Sequence, residues 1–247
     1  QYNATITDNT SEQTYRQTIE TAIKFDADFD KIIQITNELA NEISAGRLKK
    51  EEISATLERY IGGKLKIFGI GVAYIPYLND PEVRQKSPYY VCKGIKEEIN
   101  REELVEIYSA DIFHVDSATN TKIRTGTVFV DYLLSDIKDV MASLNLGKSG
   151  YGYLLSRNGT FIAHPVNEYN LKKKTIFEIA TERDDKQYMR LGQETVLGKS
   201  GMLEYKDELT GQSSWIFYEP IPSIGWSLVI TFIKDDILID NEYLRYQ

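Results

Sequence analysis

Between Ser11 and Ala45 the chain has neither proline nor glycine, and this stretch constrains the fold more than any other. Ile19, Ala22, Ile23, Phe29, Ile32, Ile33, Leu39 and Ile43 recur at spacings of three, four and seven, the stripe of a long amphipathic helix. At the α-helical rise such a helix reaches roughly 50 Å, more than the width of one small domain. It must therefore run along two stacked units of its own chain or pair with its copy in a dimer. The stripe keeps no clean heptad, which ranks packing on its own sheets first. Gly46 is placed to stop it. Residues 1–10 are polar and read as a frayed lead-in.

The chain then divides into two units of similar content. Glu51–Tyr60 reads as a short helix closed by Gly62 and Gly63, and Lys66–Ile75 as a buried, glycine-interrupted strand. Pro76–Pro88 is a loop, Pro88–Cys92 a strand, and Lys93–Glu103 a charged connection. Strands are expected at Leu104–Val115 and Ile123–Asp131, joined by turn chemistry at Asp116–Thr121. A helix follows over Leu133–Leu144, ended by Gly147. The second unit opens with SGYGYLLSRNGTFIAHP (Ser149–Pro165), whose period-two alternation and Asn158-Gly159 pair predict a tight hairpin with positive φ at both turn residues. Residues 166–185 read as a polar loop and Lys186–Leu197 as a helix. Strands are expected at Gly201–Asp207, Ser213–Glu219 and Gly225–Ile233. Two strands, a helical crossing and three strands is the order of a PAS-like antiparallel sheet, so the fold class is α+β. The expected divisions are 1–62, 63–147, 148–233 and an exit segment, 234–247.

The formal charge of −8 comes without a basic block, which argues against a nucleic-acid groove. No apolar run approaches the roughly 20 residues of a membrane span. The chain begins at Gln1, so it reads as a piece of something longer, with flanking spans outside it. Cys92, the one cysteine, is expected as a small buried hydrophobe, and no internal disulfide can form.

Several stretches together resemble the double Cache family of extracytoplasmic sensor domains. GIGVAYIPYLNDPEVRQKSPYY (Gly69–Tyr90) is similar to the start of the membrane-distal module in histidine kinase and phosphatase sensors. IYSADIFHVD and GTVFVDYLLSDI (Ile107–Ile137) resemble that module's closing hairpin and helix. GYGYLLSRNGTFIAHP and SSWIFYEPIPSIGWSLVITF (Ser213–Phe232) resemble the two hairpins of the membrane-proximal module. The resemblance implies one long helix followed by two PAS-like modules. It also implies a periplasmic or extracellular location on a transmembrane receptor, a small-molecule ligand and a homodimer formed through the N-terminal helix. One departure stands out: Val91–Glu106 is short, charged and free of tryptophan, so the arginine–tryptophan pair of the family's amino-acid binders has no counterpart.

Enzymatic chemistry finds little to work with. His114 and His164 are the only histidines and sit in no metal-ligand spacing, and P-loop, GxGxxG and GxSxG motifs are absent. No catalytic residue, metal or cofactor is expected. Asp131 is the leading ligand candidate, since it ends an otherwise apolar strand where family members with amine ligands place an aspartate. The alternative is that it caps the following helix. Tyr74, Tyr89, Tyr90 and Tyr108 offer apolar bodies with hydroxyl tips, and Arg124 a carboxylate clamp or a plain surface charge. In the second module the candidates are Trp215, Tyr218, Tyr153 and His164, set against core aromatics and a backbone-bonded histidine. The function expected is ligand sensing by the input domain of a receptor, foremost a sensor histidine kinase. The rival is a ligand-free dimerisation or docking module with a degenerate distal pocket.

Overall fold

The computed structural model describes residues 2–61, 67–75, 89–91, 104–144 and 146–236, the side chains of 2–10, 89–91, 104–106 and 134 excepted. The expected loop at Pro76–Pro88, the charged connection, Cys92, the glycine stop at Gly62-Gly63 and the exit segment beyond Asp236 lie outside the described residues. The elements, in chain order, are α1 (Tyr2–Ser44), α2 (Lys50–Ile61), β1 (Gly69–Tyr74), β2 (Tyr89–Val91), β3 (Leu104–Val115) and β4 (Lys122–Leu133). There follow α3 (Leu134–Ala142), β5 (Tyr151–Leu155), β6 (Phe161–Ala163), α4 (Asn167–Leu171), α5 (Ile176–Glu182) and α6 (Lys186–Val196). The chain closes on β7 (Gly201–Lys206), β8 (Ser213–Ile221) and β9 (Trp226–Ile233).

Two compact units result, residues 28–136 and residues 1–27 with 137–247, so α1 contributes its first part to one and its second to the other. The helix starts at Tyr2, earlier than expected, because nothing in residues 2–10 interrupts a helix already propagating from Ser11. Its buried face also differs from the aliphatic stripe. Ile23 is 62% exposed, whereas Phe25 is buried, and so are Thr14, Thr18, Thr21 and Thr36. Thr18 and Thr36 donate their hydroxyls to the carbonyls of Thr14 and Ile32, so the methyl groups face the packing. Gly46 ends the helix region with φ of 69°.

In the 28–136 unit an antiparallel sheet runs in the order β2-β1-β4-β3. β4 alternates cleanly: Val128, Val130 and Tyr132 are buried, while Thr127, Phe129 and Asp131 are only half-buried. The buried row packs on α1, where the Phe29 and Tyr132 rings meet edge to face at 6.0 Å.

In the other unit the sheet order is β6-β5-β9-β8-β7, as two strands, a crossing and three strands require. One face of this sheet packs on α1 through Trp215, Phe217, Phe232 and Tyr15. The other face buries Tyr153, Leu155, Phe161, Ile216, Tyr218 and Val229 beneath α4, α5 and α6. Asp26 of α1 accepts the Ser223 N–H at 2.8 Å, tying the helix to the β8–β9 turn.

Two expectations need correction here. The β5–β6 turn has positive φ only at Gly159 (80°); Asn158 does not share it. Gly159 N–H donates to Ser156 O and Ser156 N–H to Thr160 O, and the ladder slips between Leu154 and Leu155. That makes the loop longer than a two-residue hairpin and adds a bulge. Residues 166–185 are not a loop, for they hold α4 and α5. A reciprocal capping box sets α5, with Thr175 N–H donating to Glu178 Oε2 and Glu178 N–H to Thr175 Oγ1.

Candidate functional site

Glycine spacing shapes the face of the first sheet turned away from α1. In the ladder Gly69 stands opposite Asp131 and Gly71 opposite Phe129, while Ile70 and Val72 fall opposite Val130 and Val128 on the helix side. β1 therefore offers bare backbone beside Asp131, a low floor next to a carboxylate. On the other flank Glu106 is registered with Asp131, so two acids occupy neighbouring positions of the ladder. Asp131 is half-buried, and its carbonyl accepts the Phe68 N–H at 3.0 Å. It is not a helix cap, because β4 continues to Leu133 and α3 starts only at Leu134.

The structure spreads the other candidates of this unit over the sheet. Tyr108 donates its hydroxyl to Asn37 Oδ1 of α1 at 3.3 Å, and so lies on the helix side. Tyr74 is registered with Gly126, in the row of Val128 and Val130. Tyr89 pairs with Gly71 and Tyr90 with Ile70 in the backbone ladder. Arg124 lies seven positions before Asp131 on the same strand, roughly 23 Å away. Its Nε donates to Asp111 Oδ1 at 2.5 Å, and both side chains are about half exposed. That pair is a surface ion pair on the β3–β4 hairpin.

In the second unit Tyr153 and Tyr218 come together, both registered with Val229. Trp215 is on the opposite face, stacked on Phe232 at 6.5 Å with the Lys234 ammonium 4.7 Å from its ring. His164 joins the Tyr153 side within rings of Phe161 (4.9 Å), Tyr169 (4.8 Å) and Tyr153 (5.0 Å). Its Nδ1 accepts the Val166 N–H at 3.0 Å, and its Nε2 is 3.9 Å from Glu208 Oε1. Burial, aided by the Arg183 charge and opposed by Asp207, pushes His164 down to about 3, so the imidazole is neutral.

Groups that sequence reading did not single out surround this histidine. Arg183 pairs with the buried Glu208 carboxylate and donates to the Tyr169 hydroxyl at 2.7 Å. Asp207 accepts the Tyr151 hydroxyl at 2.6 Å together with the Thr210 N–H and hydroxyl. Burial first, then the Asp207 bond, raises the Tyr151 hydroxyl far above its usual range. The Tyr218 hydroxyl donates to Glu194, which lowers that carboxylate. The ends of Tyr151 and Tyr218 are thus spent on the unit's own carboxylates, and aromatic bodies fill the space between sheet and helices. Only the abundance of tyrosine hinted at this, since Arg183 and Glu208 are joined by no spacing that reads as a pair.

Among the described residues no group of three or more His, Cys, Asp or Glu is disposed to hold a metal ion. Nor, among them, is any helix long and apolar enough to cross a membrane.

A family model, the Cache domain in its dCache_1 form, matches residues 2–238. No curated protein matches the sequence significantly. Solved structures similar to this chain include the extracellular domain of mmHK1S-Z3, assigned as a histidine kinase, at 18% identity and a TM-score of 0.68. That match covers 95% of this chain and 98% of the other. The periplasmic sensory domain of the Campylobacter jejuni chemoreceptor Tlp1 matches at 13% identity and a TM-score of 0.69, over 94% and 98% of the two chains. The ligand-binding domain of the Pseudomonas fluorescens chemoreceptor CtaA, in complex with L-isoleucine, matches at 15% identity and a TM-score of 0.55, over 96% and 98%.

Proposed function

The chain belongs to the Cache domain family, and from that premise we propose that it is the extracytoplasmic ligand-sensing domain of a transmembrane signalling receptor. The observation that carries the reading is the family match over nearly the whole chain, from residue 2 to 238. The membrane-distal module, 63–147, would hold the ligand, and the proximal module, 148–233, would relay it. Asp131, beside the bare backbone of Gly69, supports the distal choice. The other unit supports it from the opposite direction, since its tyrosines occupy the corresponding space themselves.

The ligand proposed is a small primary amine or amino acid. Asp131 supplies a carboxylate for the ammonium group, and a charge-assisted hydrogen bond is among the stronger contacts available to it. CtaA, which holds L-isoleucine in its solved complex, lends this class further support. Tyr89, registered with Gly71 on the strand next to β1, would contribute the wall nearest Asp131, whereas Tyr90, registered with Ile70, falls in the helix-side row. Tyr74 and Tyr108, on the helix side, would respond to the ligand through α1. A ligand with unequal affinity for two conformations shifts their populations, and only that difference is transmitted. Flanking membrane spans, a homodimer through α1 and a kinase output complete the proposed receptor.

A thermal-shift screen of the purified domain against amino acids, amines, small carboxylates and sugars tests this. A specific upward shift with an amine or amino acid, lost in Asp131→Ala, is expected. A shift that Asp131→Ala leaves intact would remove Asp131 from the site. No shift with any compound, from a protein that melts cooperatively, would favour the ligand-free module instead.

A further inference from the structure

Separate from the Asp131 face, a cavity of about 330 Å³ opens in the second unit between α3, the turn at 146–150 and the edge of β5. That volume is at the lower end of what small-molecule pockets occupy. Met141, Leu144, Leu146 and Ala163 give it aliphatic walls. It borders the start of β5 on the side facing β6, which pairs only with Leu154 and Leu155. Gly150, Tyr151 and Gly152 line the cavity ahead of the short β6 pairing, while Tyr151 and Gly152 stay paired with β9 on the other side.

The charges around the cavity are unequal. Lys138 stands on its α3 wall, and its Nζ donates to the neutral amide oxygen of Asn167 at 2.9 Å. Among the described residues no carboxylate forms an ion pair with it. At the Gly147 rim stands Asp236, whose Oδ2 accepts the Ser149 N–H at 2.7 Å and lies against Gly147. His164, which also lines the cavity, is neutral and adds no charge. Among the described residues one end thus has a cation with no carboxylate paired to it, the middle is apolar, and an acid stands by the other rim.

We propose that this cavity is a second ligand site, one that takes a small aliphatic monocarboxylate with its carboxylate on Lys138 and its hydrocarbon against Met141, Leu144 and Leu146. The site selects a single negative charge, because a dicarboxylate would bring its second group to Asp236. It excludes the uncharged amide of the same shape, which leaves the ammonium without a charged partner. The proposal stands apart from the Asp131 reading, and either holds if the other fails.

Isothermal titration of isovalerate into the purified domain at neutral pH tests it, with isovaleramide and succinate as comparison probes. Isovalerate should bind the unaltered chain and Asp131→Ala alike, and the comparison probes should bind neither. Lys138→Gln, which keeps a donor for Asn167, should weaken isovalerate by about tenfold or more. Ala142→Phe, on an exposed α3 position that lines the cavity, should abolish binding by filling the space. Unchanged melting of either variant assures that it is folded. The proposal is overturned if isovalerate does not bind, if both cavity variants bind it like the unaltered chain, or if binding disappears only in Asp131→Ala.

Discussion

The Tyr205 hydroxyl donates to Asp185 Oδ2 at 2.5 Å, while Oδ1 of the same carboxylate accepts the N–H groups of Gln187 and Tyr188 and so caps α6. One side chain therefore joins a sheet strand to the start of the helix that covers it. Asp185→Ala removes the cap and leaves the tyrosine hydroxyl unpaired, and should cost about 1–3 kcal/mol in urea unfolding. Tyr205→Phe keeps the cap and should cost about 1 kcal/mol. Equal losses from the two variants would show that capping contributes nothing here.

Two glycines of the α6 region should respond to alanine for different reasons. A Cβ at Gly192 would lie 2.7 Å from Ile176 Cγ2 and 2.8 Å from the Phe177 ring, so α5 and α6 would have to separate. The expected loss is about 1–3 kcal/mol. Gly198 meets nothing within 4 Å but has φ of 68°, so its alanine variant pays only for the left-handed backbone, about 1 kcal/mol. Chemical denaturation of both variants checks the ranking.

His164 gives the fold a defined acid sensitivity. Its folded pKa, about 3, is below the ordinary 6.5, so between those values the unfolded chain binds a proton that the folded chain refuses. Stability contributed by this group is complete above 6.5 and is lost as the pH falls towards 3. Between pH 7 and pH 5 the loss should be about 2 kcal/mol, set against Arg183, Glu208 and Asp207, the charged groups that face the ring. His164→Phe should be less stable at neutral pH, since the Val166 N–H loses its acceptor, but should lack this part of the pH dependence. Identical slopes for both chains over that range would refute the assignment.

Gly126 fixes the spacing of the first sheet. A Cβ there would lie 2.5 Å from the Ala73 carbonyl oxygen, a backbone atom that cannot swing aside. Gly126→Ala should force β1 from β4 and cost more than about 2 kcal/mol. Amide exchange at Ile70–Ala73 should accelerate relative to that of β8 and β9; unchanged exchange would mean that the strands tolerate the methyl group.

Long periodic elements were legible in the sequence because their patterns repeat often enough to exclude alternatives. The alternation of Val128, Val130 and Tyr132 with Thr127, Phe129 and Asp131 gave both the strand and the odd acid on it. α4 and α5 are too short for periodicity and depend on buried Tyr169 and Ile176 and on the Thr175–Glu178 box. The threonines on the packed face of α1 read as polar in the sequence, yet internal hydrogen bonds let Thr18 and Thr36 act as small apolar groups. For the site, Asp131 could be found from its own strand. The Arg183–Glu208 pair could not, because the contact exists only once α5, α6 and the β7–β8 turn have come together.

The division of α1 between the two units sets an order on synthesis. Residues 28–136 form one unbroken stretch, so that unit has all its described parts as soon as α3 begins to emerge. The other unit is split, and its first part, residues 1–27, must wait for β8 and β9 before Tyr15 can meet Phe217 and Asp26 can meet Ser223. During that interval the early half of α1 has its buried threonines and Phe25 uncovered. Closing so long a stretch of chain is slow compared with forming a local hairpin. The nascent protein therefore passes through a stage in which one unit is complete and the helix it shares still has an apolar face in water.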